Sequence, residues 1–202
     1  RQGIVDNLEN ILEIPNPLSC TVRLRQLTGG VFGDDNPKLE RVKDMLEEIT
    51  ESGHKALIFS QWEQVTSVYK EALKTYNPAY IVGAVDPEDR QKEVDRFQND
   101  PTCKVAIGTI GAMGTGLTMT AASYVFFVDK RYWDAENKQA EDRAHRIGTT
   151  NTVNVVSLVA TNTVDEGIEE MLRDNRALFD RVVEGKGSRV DVGEILRKIL
   201  QY

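Results

Sequence analysis

Gln139, Arg143 and Arg146 stand at i, i+4 and i+7. In a helix that spacing projects all three side chains from one face. Two guanidiniums side by side repel unless an anion lies against them, and the planar fork of arginine suits bidentate contact with phosphate oxygens. Glu141 and Asp142 lie between them in sequence. The alternative is therefore a solvated face on which these carboxylates neutralise the arginines. Residues 130–146 carry five Lys/Arg and four Asp/Glu, so the stretch is not basic by count and any anion site depends on geometry. His145 next to these arginines has no visible carboxylate or metal partner and reads as a structural residue.

A second chemical feature is Thr109-Ile-Gly-Ala-Met-Gly-Thr-Gly116, whose glycines at 111, 114 and 116 form G-x-x-G-x-G. The order differs from the dinucleotide fingerprint, and no G-x-x-x-x-G-K-[ST] phosphate loop occurs. Close backbone approach alone would explain such glycines. No His/Cys/Asp set has metal spacing, so no metal site is expected, and no nucleophile motif is present.

The elements that must position these residues are legible from periodicity. Leu39, Val42, Leu46 and Ile49 predict a helix from Pro37, closed by Gly53. Trp62, Val65, Tyr69 and Leu73 predict a second. Asp86 and Pro87 mark the N-cap and first position of a third. A helix is expected over 135–146, and Thr163-x-x-Glu166 forms a capping-box pattern before a long apolar stripe. Strands are expected at 56–59, 80–82, 104–108, 124–128 and 153–159. This alternation implies an α/β fold with a mostly parallel sheet and helices on both faces. Residues 1–36 read as an irregular or helical extension, 37–184 as the lobe, and 185–202 as a hinge followed by a last amphipathic helix. Ligands of an open parallel sheet bind beyond the carboxyl ends of its strands. Ser60-Gln61-Trp62, Gly83–Asp86, Thr109–Gly116 and Asp129–Trp133 collect there.

Composition sets the outer bounds. The chain has 202 residues, 28% charged and 40% hydrophobic, with a net charge of −7. That is a globular composition long enough for one sizeable core. The acidic balance argues against coating nucleic acid by bulk charge and leaves room for a local cationic site. No apolar run reaches the roughly 18 residues of a membrane helix, so no membrane partner is expected. Cys20 and Cys103 form no pair motif and read as idle thiols in a reducing compartment. The first residue is Arg, which suggests a piece of a longer protein.

Taken in order, these segments resemble the C-terminal RecA-like lobe of the Swi/Snf family of DNA-dependent ATPases, in helicase superfamily two. Lys55–Trp62 resembles motif IV, Gly83 with Arg90 and Phe97 the following G…R…F signature, and Thr109–Ala122 motif V. Gln139–Gly148 is similar to motif VI, Thr163–Glu166 to the closing signature, and Leu24-Arg25-Gln26 to an upstream L-R-Q run. The likeness covers roughly residues 20–183 and is nearest the compact bacterial and phage members and the annealing-helicase-like branch. The chain departs from the family pattern at Thr149, where Gln is usual, and at Gly111, where Arg is usual. Tyr132 stands where Trp is usual, with Trp133 one place later.

The resemblance implies a three-layer RecA-like fold and a function as the second motor lobe of an ATP-dependent duplex-DNA translocase. Arg143 and Arg146 would be arginine fingers, with Gly114, Thr115, Gly116 and Gln139 near the nucleotide. Ser60, Gln61, Gly83 and Thr109 would contact DNA phosphates. ATP with Mg²⁺ would be bound mainly by an N-terminal lobe of the same protein, absent from this chain, so the isolated chain would be inactive. It would be monomeric and cytoplasmic, of bacterial or phage origin. A nucleic-acid-binding or interaction module without ATPase would need no arginine pair. A small-molecule α/β enzyme would need its own phosphate loop.

Overall fold

The computed structural model describes residues 17–31, 36–114, 116–145 and 152–183. In chain order they form α1 (Pro17–Thr28), α2 (Pro37–Glu51), β1 (Lys55–Ser60), α3 (Glu63–Ala72), β2 (Ala79–Ile81), α4 (Pro87–Asn99) and β3 (Val105–Thr109). The short α5 (Ile110–Met113), β4 (Ala122–Phe127), α6 (Asp134–Glu141), β5 (Asn154–Ser157) and α7 (Val164–Val183) follow. The strands form one parallel sheet in the order β2-β3-β1-β4-β5, as the alternation of elements implied.

Strand pleating divides the core into two apolar layers. Leu57, Phe59, Ala106, Val125 and Phe127 face α4, α5 and the end of α6, meeting Val94, Phe97, Met113 and Ala140. Ala56, Ile58, Val105, Ile107 and Phe126 face the opposite way, onto Leu39, Val42 and Leu46 of α2 and Val65 and Tyr69 of α3. The central strands β1, β3 and β4 are thus apolar on both faces, the mark of a parallel sheet covered by helices. α2 begins as its sequence requires, with Pro37 in the first turn and the Asn36 side chain accepting the Leu39 N–H at 3.1 Å.

Several boundaries differ from expectation. Asp86 occupies the N-cap of α4, but its side chain makes no capping hydrogen bond. Thr163 caps α7 by accepting the Asp165 N–H at 3.2 Å instead of completing a capping box at Glu166. The helix expected over 135–146 ends as regular α-helix at Glu141. Its next turn tightens, with Arg143 and Ala144 N–H groups donating to Ala140 and Glu141 three residues back. The expected last strand shortens to Asn154–Ser157. The stretch at 1–36 contains α1, which lies against α7. The expected hinge and last helix at 185–202 lie outside the described residues.

Gly108 marks the tightest strand contact. A Cβ there would lie 2.0 Å from the Ile81 carbonyl oxygen. Gly108→Ala should therefore destabilise the lobe by about 1–3 kcal/mol, the usual cost of overfilling a close-packed site, measured as a lowered urea midpoint. At the same edge Glu93 accepts the Tyr80 N–H at 2.9 Å and Arg96 at 2.7 Å. Burial pushes the Glu93 carboxyl up, but these hydrogen bonds outweigh it and hold the group below the usual range. A lowered folded-state value stabilises fully above the ordinary glutamate range, and that stability is lost as pH falls through the lowered value. Glu93→Gln should flatten this acid-side decline in thermal unfolding between about pH 3 and pH 6.

Candidate functional site

The sheet brings the expected residues to one edge. β1 and β3 are neighbours in register, with Ser60 opposite Thr109, and Ile81 of β2 pairs with Gly108. Gln61, Gly83 and the Thr109–Gly114 segment therefore emerge side by side beyond the strand ends. Gly83 is exposed, and a Cβ there would meet nothing within 4 Å. Thr109 is half-buried and caps α5 through a long 3.4 Å bond from the Ala112 N–H. Gly116 has φ +72°, a backbone conformation that favours glycine. At Gly114, a Cβ would press to 2.4 Å of the Ile110 carbonyl oxygen.

Ser60 is buried, and its hydroxyl is committed internally. It donates to Asp129 Oδ2 at 2.5 Å and accepts the Trp62 N–H at 3.0 Å. The Gln61 N–H donates to Asp129 Oδ1 at 2.7 Å. One carboxylate at the end of β4 therefore sets the path of the loop after β1. Asp129 is 5% exposed. Burial pushes its carboxyl up, against the pull of Arg25, the Ser60 hydroxyl, the Gln61 N–H and Lys38.

Around Asp129 lies a network that periodicity did not reveal. Arg25 of α1 is 1% exposed. Its guanidinium donates to the Lys130 carbonyl and, at 3.4 Å, to Gln61 Oε1, and lies 4.8 Å above the Tyr132 ring. Lys38 Nζ donates to the Val128 carbonyl at 2.7 Å and pairs with Asp165 at 2.5 Å. Asp165 also accepts from the Thr28 hydroxyl and the Ala160 N–H. Lys130 reaches Glu169 of α7 at 3.2 Å. Arg25 was visible in sequence only inside the Leu24-Arg25-Gln26 run. Lys38 and Asp165 carried no signal, because a charged residue at a helix start ordinarily reads as solvated.

The arginine segment meets the glycine turn directly. Arg143 Nε donates to the Gly114 carbonyl at 3.1 Å, and the Met119 N–H donates to the Arg143 carbonyl at 3.0 Å. Gln139 is exposed on α6, while Arg143 stands in the tightened turn beyond it. Regular α-helix thus ends between the two. Arg146 and Thr115 lie outside the described residues. The turn between β4 and α6 is pinned by Asn137, which accepts the Arg131 N–H at 2.8 Å and donates to the Arg131 carbonyl at 2.9 Å. Of the two aromatics there, Tyr132 packs beside Ile168, Met171 and Leu172 of α7, and Trp133 is 71% exposed. Among the described residues no His, Cys, Asp or Glu cluster could hold a metal ion, and no helix is long and apolar enough to cross a membrane.

The pattern of the helicase conserved C-terminal domain matches residues 37–148. The chain belongs to this family, as a Swi/Snf-type C-terminal lobe. It is 33% identical over 189 residues to Helicase SWR1 of Candida glabrata, covering 91% of this chain and 13% of that protein. It is 34% identical over 174 residues to Protein CHROMATIN REMODELING 19 of Arabidopsis thaliana, covering 81% of this chain and 23% of that one. The solved SWI2/SNF2 ATPase core of Sulfolobus solfataricus in complex with dsDNA superposes with a TM-score of 0.66 at 26% identity, over 98% of this chain and 46% of that one. The lobe thus spans a fraction of the length of each relative. These come from a yeast, a plant and an archaeon, and none is bacterial or phage. The five-stranded parallel sheet is the RecA-like lobe of such ATPases.

The buried ion pairs of the lobe are sensitive to the loss of one partner. Lys38→Met leaves Asp165 uncompensated and should cost about 3–5 kcal/mol. Adding Asp165→Asn should recover part of it, as a rise in thermal midpoint over the single variant.

Proposed function

We propose that this lobe is the second half of an ATP-dependent motor that moves along duplex DNA. The observation that carries this is the motif VI segment seated on the glycine turn, with Arg143 Nε on the Gly114 carbonyl, in a chain of the helicase C-terminal family. The dsDNA in the Sulfolobus core complex supports DNA as the track.

In this reading ATP sits between the edge of this sheet and a preceding lobe. Arg143 and Arg146 neutralise charge developing on the γ-phosphate, and such arginines can contribute about 10³–10⁵ in rate. Gln139 helps align the nucleotide. Gly114, Thr115 and Gly116 let the backbone approach it. Mg²⁺ would be held by the preceding lobe, since the described residues offer no acidic cluster for it. Gln61, Gly83 and Thr109 meet DNA phosphates without reading bases, so binding weakens with salt. Ser60 serves them from beneath, because its hydroxyl is occupied by Asp129 and the Trp62 N–H. Opening and closing of the cleft moves the two lobes along the duplex. Alone, the lobe is monomeric and has no ATPase. Its compartment follows the DNA: nuclear in a eukaryote such as the yeast and plant relatives, cytoplasmic in a cell without a nucleus.

In the two-lobed protein, Arg146→Ala should lower DNA-stimulated ATP turnover by about 10³ or more with an unchanged thermal midpoint. Near-normal turnover in that variant overturns the assignment. The isolated lobe should bind duplex DNA weakly, given its net charge of −7. A tight, salt-resistant complex in a fluorescence-anisotropy titration would contradict this.

A further inference from the structure

We propose that Arg25 is a positioning residue that couples DNA engagement to ATP turnover through Gln61 and the Lys130–Trp133 turn. The inference rests on the motor reading above and adds a residue outside the 37–148 span of the family match. Arg25 belongs to α1, yet its guanidinium is buried between two loops of the sheet edge. One branch meets the Gln61 side chain, and the other meets the Lys130 carbonyl. Gln61 is thus fixed twice, at its N–H by Asp129 and at its side chain by Arg25. Without Arg25 its backbone would stay in place while its amide swings free.

The same guanidinium covers Tyr132, the residue before the exposed Trp133. One cation therefore ties together the two loops that flank β1 and β4, which are adjacent strands. Its own position is not free to drift. The next turn of α1 is fastened to α7 by the Thr28–Asp165 bond, and Asp165 is held by Lys38 of α2. A shift of α1 would move Arg25 and with it the side chain of Gln61. Charge balance with Asp129 alone would need only a cation. The planar fork is what can reach Gln61 and the Lys130 carbonyl together.

The charge and the fork are separable by Arg25→Lys. The lysine keeps a cation near Asp129 and gives up the double reach. In the two-lobed protein this variant should keep its DNA-free ATPase and its maximal rate at saturating DNA. The concentration of duplex DNA giving half-maximal stimulation should rise about five- to tenfold, within the range expected for one typical net hydrogen bond. Gln61→Ala should raise it similarly, and the double variant should add little, because both remove the same contact. If Arg25→Lys lowers the thermal midpoint sharply, Tyr132→Leu provides the second test. It removes the ring under the guanidinium without touching its polar partners, and a smaller shift in the same direction is expected.

Three results overturn the proposal. The first is an unchanged half-saturating DNA concentration in a folded Arg25→Lys protein or, where that variant unfolds, in Tyr132→Leu. The second is full additivity with Gln61→Ala. The third is a fall in maximal rate with no change in half-saturation. A wild-type protein with no DNA-stimulated ATPase would overturn the motor reading itself, which separates the two failures.

Discussion

A carboxylate buried at the end of a central strand governs the working edge of this lobe. Asp129 is buried, so its carboxylate oxygens need donors from the protein. Those donors are the residues at the mouth of the neighbouring strand, Ser60 and the Gln61 N–H. Its charge is balanced by cations from outside the sheet, Arg25 of α1 and Lys38 of α2. The need to satisfy one anion thus fixes the shape of a loop and anchors two helices. A buried ion network of this kind adds little net stability over an apolar core, and it becomes costly when one partner is lost.

The fold was largely legible because a parallel sheet repeats one simple pattern. Strands such as Ala56–Phe59 are apolar on both faces, and the helices between them show a 3.6-residue stripe, so element type and order follow from hydrophobic spacing. The boundaries were less legible where polar sequence carries no period. Residues 135–146 read as one helix because their composition suits it. The turn tightens after Glu141, where Arg143 bonds to Gly114 and Met119. Those are contacts between segments distant in sequence, which local propensity does not contain.

The candidate site divides the same way. Gly114, Gly116, Gln61, Gly83 and Thr109 were placed at one edge because strand ends define that edge. Ser60 was expected to face a ligand, and it faces inward instead. Its position at the end of a buried strand, next to a carboxylate from the adjacent strand, decides that, and the adjacency depends on strand order. Arg25, Lys38 and Asp165 were missed for a related reason. Each looks like an ordinary surface charge until the helices that carry them are folded back over the sheet. Their burial is a property of topology and not of any local window.

The strand order has a consequence for how such a chain assembles itself. Among the described residues β1 is the earliest strand in sequence, yet it lies at the centre, between β3 and β4. Its hydrogen-bonding edges are both completed by strands that come later. During synthesis this buried strand must therefore wait, with both sides open, while the chain that follows is made. Non-local parallel pairing is slow to form and leaves such edges open to the wrong partner. α2 and α3, which flank β1 in sequence and cover one of its faces, are available to shield it during that interval. The helices that brace the finished sheet are also its earliest guardians.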